Sequence, residues 1–136
     1  MARYAVRRLE DIPRIPAEEE GDPDWYPLQH YFRFTAFGAN VYVAPKAGGD
    51  LLGTHDETKS GQEELYLVIA GEASFTLDGE TVDAPAVTVV AVPYPGVLRG
   101  AKAKTAGTAV VALGGESRAA FRSSWQPKWF EGAPQV

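Results

Sequence analysis

Cysteine is absent from this chain of 136 residues. That excludes disulfides, thiolate-held metals and a catalytic thiol together. Histidine is nearly as scarce, with only His30 and His55. Basic residues are outnumbered, 13 Lys and Arg against 18 Asp and Glu, for a formal net charge of −5. A nucleic-acid partner needs a basic patch to neutralise phosphates, and none stands out. Arg99, Lys102 and Lys104 alternate with small residues and read as a solvated strand edge, where lysine is common. No apolar run approaches the ~20 residues of a membrane span. Met1 to Pro13 carries Arg3, Arg7, Arg8, Glu10 and Asp11 without the apolar stretch of a secretory signal, so a cytoplasmic location is the default expectation. No serine sits in a G-x-S-x-G elbow, and Gly48-Gly49 lacks the Lys-Ser or Lys-Thr that completes a phosphate loop.

What the chain does have is 45% hydrophobic residues, 14 glycines and 10 prolines. That is enough apolar material for a core in one domain-sized chain, punctuated for short strands and tight turns. Tyr4–Leu9 reads as a short edge strand, and Glu18 to Asp24 as an acidic loop. Tyr31–Thr35 and Asn40–Val43 are strand-like, and Glu64–Ala70, closed by Gly71, is the strongest strand. Ala73–Leu77 and Glu80–Val82 flank Asp78-Gly79, a two-residue hairpin signal. Val87–Val92 reads as a strand apolar on both faces and Thr108–Leu113 as another, stopped by Gly114-Gly115. Glu116–Phe121 is open between a helical turn and a last strand. Trp125 and Trp129 in the tail need cover, over the body or in a partner subunit. The class expected is all-β, a sandwich or barrel.

From Gly49 onward the residues resemble the first sequence motif of the cupins: a glycine, five residues, His-x-His, three or four residues, a glutamate, six residues and a glycine. Gly49 precedes His55 by that spacing, and Glu64 precedes Gly71 likewise. Glu57 stands at the second histidine, and six residues separate it from Glu64. The second motif loses its histidine in either register, putting Leu98 there if Pro93 is its proline and Arg99 if Gly96 is its glycine. Residues from His55 to Gly115 also look like a group of small bacterial cupins with an H-D-E, E-E-L-Y and F-T-L-D-G-E-x-V-D-A-P run. The resemblance implies a conserved-barrel cupin, a jelly-roll-like double-stranded β-helix. It would be one cupin domain over 1–136 with its barrel core at about 31–115, and a homodimer. It does not decide activity, because the cupin fold hosts many chemistries.

Residues two apart in a strand share a face, so His55 and Glu57 pair if extended, as do Gln62, Glu64 and Tyr66. In a cupin barrel these faces would meet, and an inward Glu64 then needs a partner. One candidate is a divalent metal (iron, manganese, nickel or zinc) held by His55, Glu57 and Glu64, with Gln62 orienting a water. His30 is a further candidate that nothing in the spacing demands. The other candidate is Arg99, whose guanidinium would pair with Glu64 or take an anionic ligand group and repel a metal. The expected pocket is therefore His55, Glu57, Gln62, Glu64, Tyr66 and Arg99. Three functions stay open: a small-molecule-binding cupin, a metal-dependent oxygenase or isomerase acting on a small organic acid or sugar, or a structural domain without a site.

Overall fold

A computed structural model describes residues 3–136. Residues 1 and 2, where the segment read for a secretory signal begins, lie outside the described residues. The strongest strand of the sequence anchors the architecture. In β4 (Gln62–Ala70), Gln62, Tyr66 and Val68 are buried while Glu63, Leu65 and Ile69 face outward. That is the period-two alternation of a strand with one face on a core. Eight further strands follow the same logic: β1 (Asp24–Tyr26), β2 (Gly38–Ala44), β3 (Asp50–His55), β5 (Glu72–Leu77), β6 (Glu80–Pro85), β7 (Thr88–Val92), β8 (Arg99–Ala103) and β9 (Thr108–Glu116). They form two sheets, ordered β1-β2-β9-β4-β7 and β3-β8-β5-β6, with every pairing antiparallel. The all-β class and the jelly-roll-like barrel are both present.

Leu51, Tyr66, Val68, Phe75, Val90 and Val110 fill the space between the sheets. Fully burying such side chains stabilises the fold by about 1.5–3 kcal/mol each. Turns close the strands as the residue types require. Asp78 and Gly79 take φ of 47° and 85°, the paired left-handed geometry of a type I′ hairpin between β5 and β6. Gly71 takes φ of 70° between β4 and β5, where a Cβ would strike Thr108.

Several expectations need correction. Tyr31–Thr35 is not a strand. Pro27 opens a helical turn, α1 (Leu28–Tyr31), the Phe34 amide donates to the Gln29 carbonyl, and Arg33 has φ of 62°; local turn bonding here overrides the β preference of an aromatic run. Tyr4–Leu9 forms no strand either, and the segment ends in a short 3-10 turn at Leu9–Asp11. β7 is apolar on both faces, but only one is covered. It ends its sheet, and Val89 is exposed. β8 is no solvated edge, since it lies between β3 and β5; Lys102 faces out, and Arg99 is fully buried. β9 runs through both glycines to Glu116 instead of stopping at them, and residues 117–124 form neither helix nor strand.

Candidate functional site

His55 closes β3, opposite Arg99 of β8 in the register. This pairing settles the second-motif alignment on Gly96, because Leu98 is exposed and Arg99 points inward. The chain does not stay extended past His55. A turn over Asp56–Gly61, held by the Gly61 amide donating to the Glu57 carbonyl and the Thr58 amide to Asp56 Oδ1, folds Glu57 back beside the imidazole. The extended-strand reason for pairing His55 with Glu57 is therefore replaced by a turn, although the two side chains do meet. From β4, Gln62, Glu64 and Tyr66 face the same space. Gly114 of β9 makes room for them, since a Cβ there would lie 3.1 Å from both Gln62 Oε1 and Glu64 Cγ.

The contacts form a chain of charged and polar groups. His55 Nδ1 is 2.6 Å from the Gly53 carbonyl oxygen, which can only accept, so this nitrogen carries a proton. Nε2 lies 3.1 Å from Glu57 Oε1 and 3.8 Å from Glu64 Oε1. Ser60 Oγ donates to the other Glu57 oxygen, and the Tyr66 hydroxyl donates to Glu64 Oε1 at 2.7 Å. The Glu57 and Glu64 hydrogen bonds raise His55 to about 10, with burial opposing. The ring is thus an imidazolium at neutral pH. Burial works to raise Glu57, but hydrogen bonds from His55 and Ser60 outweigh it and hold the carboxyl below its ordinary range. Burial, followed by the negative charge of Glu64, pushes the Tyr66 phenol upward, so it stays neutral and donates.

Arg99 Nη1 lies 4.0 Å from Glu64 Oε1. All three of its guanidinium nitrogens are buried without a hydrogen-bond partner among the described residues. A buried charge is costly without compensation, so the nearby carboxylates set its energy. The cluster then balances: Glu57 and Glu64 against His55 and Arg99.

A cavity of about 540 Å³ opens above this group. His55, Glu57, Gln62, Glu64 and Tyr66 line it, whereas Arg99 lies beneath its surface. Residues that sequence reasoning passed over complete the wall. Tyr42 and Asn40 come from β2, where they share the inward face with Gly38, and their alternation with Val41 was the available signal. Burial, with the charges of Glu64 and Glu57, pushes the Tyr42 phenol up. Trp25 of β1 donates from Nε1 to Asn40 Oδ1 at 2.7 Å. The tail passes over the opening, placing Phe121 on Gly38 and packing Trp125 at a tilt against Trp25, with 4.4 Å between ring centroids. The tail aromatics therefore cover the body of their own chain. His30 is elsewhere, stacked on Phe130 with Nε2 against the Ala133 carbonyl, and Tyr94 is exposed outside the cavity lining.

The His55, Glu57 and Glu64 ligand atoms lie within 4.8 Å of one another, close enough to share an ion. The donor types suit a first-row divalent metal. The surroundings oppose it in one respect, since the buried guanidinium of Arg99 beside Glu64 would face a dication.

No protein-family model and no curated protein sequence matches the chain. Its fold does match solved structures. A sugar phosphate isomerase of the cupin superfamily from Silicibacter pomeroyi superposes with a TM-score of 0.66 at 17% identity, covering 81% of this chain and 74% of that one. An RmlC-like cupin from Desulfovibrio desulfuricans gives 0.63 at 20%, covering 82% and 95%. The Streptomyces protein Pac13, described as a nucleoside dehydratase, gives 0.58 at 16% in its complex with uridine, covering 84% and 82%. These likenesses establish the fold: the chain is built as a cupin barrel.

Proposed function

We propose that the chain binds a small polar molecule in the barrel and performs acid–base chemistry on it with His55, Glu57 and Glu64, without a metal. One observation carries this reading: the His55 imidazole, 3.1 Å from Glu57 and 3.8 Å from Glu64, at the floor of a ligand-sized cavity. Such a floor holds both a proton donor and ionised acceptors within one ligand's reach. Glu57, held ionised by hydrogen bonds from His55 and Ser60, accepts from the ligand, and His55 carries the exchangeable proton. Tyr66 and Arg99 are positioning groups for Glu64. The similarity to an isomerase and a dehydratase supports a reaction of this kind. The terminal segments, which cover the cavity, belong to the same unit as the barrel, so we read residues 1–136 as one domain.

Thermal-shift screening of small polyols, nucleosides and acids against wild type and Glu64→Gln tests the reading. A compound that stabilises wild type and not the variant is expected, with metal analysis of chelator-free protein showing no stoichiometric ion. A stoichiometric metal that vanishes in Glu64→Gln would restore the metalloenzyme reading, which the spacing of the three ligand atoms favours.

A homodimer completes the proposal. On the outer face Leu65 stands between Ala91 and Leu113, and Leu67 between Val89 and Val111. Leu65, Ile69, Val89 and Leu113 are exposed. A second copy of the same flat apolar face is the simplest complement.

A further inference from the structure

We infer that the cavity is screened against anions, so its ligand is an uncharged, hydroxyl-bearing ring compound and not a phosphorylated or carboxylated one. This rests on the small-molecule reading and narrows it. Five acidic residues line the cavity, Glu18, Asp22, Asp50, Glu57 and Glu64, against a single imidazole, His55; the Asp22 carboxylate also accepts from the Glu19 amide. No lysine or arginine is among its described lining residues. On the floor the buried Arg99 stands 4.0 Å from Glu64, and Asp50 is paired with Lys102 at 2.9 Å. Glu18 and Asp22 have no ion pair among the described residues and leave the rim with a negative surplus. An entering phosphate would meet that surplus in a concave, partly dry opening, where like charges repel over more than contact range. Nor is Arg99 a counter-site, since its nitrogens have no exposed surface and Glu64 already faces it.

The rest of the wall states what is accepted. Trp25, Trp125 and Trp129 offer indole faces, on which a planar base or the C–H face of a sugar ring packs. The ionised carboxylates below accept hydrogen bonds from hydroxyls. A neutral ring with hydroxyls at one end matches both halves.

The three indoles are the chain's entire tryptophan content and all line the cavity; Trp125 is also exposed and Lys128 Nζ lies 5.3 Å from the Trp129 ring centroid, so quenching is read with Lys128→Gln as the background for every variant. Caesium is expected to quench them at least about twofold better than iodide at low salt, each referenced to a free tryptophan analogue, with the gap closing as salt rises. The Glu18→Gln/Asp22→Asn double variant should narrow that gap. In parallel, uridine against uridine 5′-monophosphate and glucose against glucose 6-phosphate are compared by calorimetry. The neutral member of the recognised pair should bind roughly tenfold or more tightly than its phosphate ester, and the double variant should rescue the ester without changing the neutral compound. Iodide quenching as well as caesium, or a phosphate ester binding more tightly than its parent, would overturn the inference. A caesium preference with no neutral ring compound binding would instead sink the small-molecule reading beneath it, so the two failures are distinguishable.

Discussion

His55 and Arg99 face each other across two strands, and each supplies the positive charge that one glutamate needs. Stability should follow these charges. The folded imidazole titrates at about 10 against an ordinary 6.5. Its contribution is therefore fully present below about pH 6.5 and is lost as pH rises through 10. Glu57, held low in the fold, contributes above the ordinary carboxylate range and loses that contribution as pH falls. Urea midpoints of wild type are expected to decline from pH 7 to 10, and those of His55→Gln to stay nearly flat over that interval. Arg99 makes a second residue-level prediction. Arg99→Met removes one partner of a buried charge pair and leaves Glu64 without its guanidinium, so stability should fall by about 3 kcal/mol. The same variant leaves two carboxylates with one cation. Calorimetry with manganese or nickel should then show binding that wild type lacks, and Arg99→His should bind more tightly still by adding an imidazole donor.

Strands carry these side chains to one place, and some were readable while others were not. The inward set Gln62, Glu64 and Tyr66 followed from alternation alone, because β4 has one face on the core and one outside. Asp78-Gly79 announced its hairpin because few dipeptides tolerate two left-handed residues. Tyr31–Thr35 misled, since its aromatic run suggested a strand whereas the helical turn was set by Pro27 and the Phe34–Gln29 backbone bond, leaving Phe34 exposed. The site was legible in its floor and not in its wall. Trp125 and Phe121 of the tail meet Trp25 and Gly38, far earlier in the sequence, only through the tail's path over the opening, which no local periodicity records. At this scale Gly71 is the sharpest test. Its left-handed backbone and the close approach of Thr108 predict that Gly71→Ala costs about 2 kcal/mol or more in urea unfolding, read as a fall in midpoint at constant slope. An unchanged midpoint would mean the turn between β4 and β5 is not as described.

For the molecule as a whole, two outward features have consequences. No helix among the described residues is long and apolar enough to cross a membrane. The apolar rows across β7, β4 and β9 should instead hold two copies together. Sedimentation equilibrium is expected to give twice the chain mass, and Leu67→Glu, at the centre of that face, to give the single-chain mass with its barrel intact by circular dichroism. Everything proposed for the interior returns to what lies between His55 and its two carboxylates, a proton or a metal. Imidazole nitrogen and carbon shifts of His55, followed by NMR from pH 5 to 11 in chelator-free protein, decide this directly. Both ring nitrogens should be protonated at pH 7, with the transition near 10. A neutral ring at pH 7, titrating at an ordinary value or with Nε2 bound to an ion, would contradict the account.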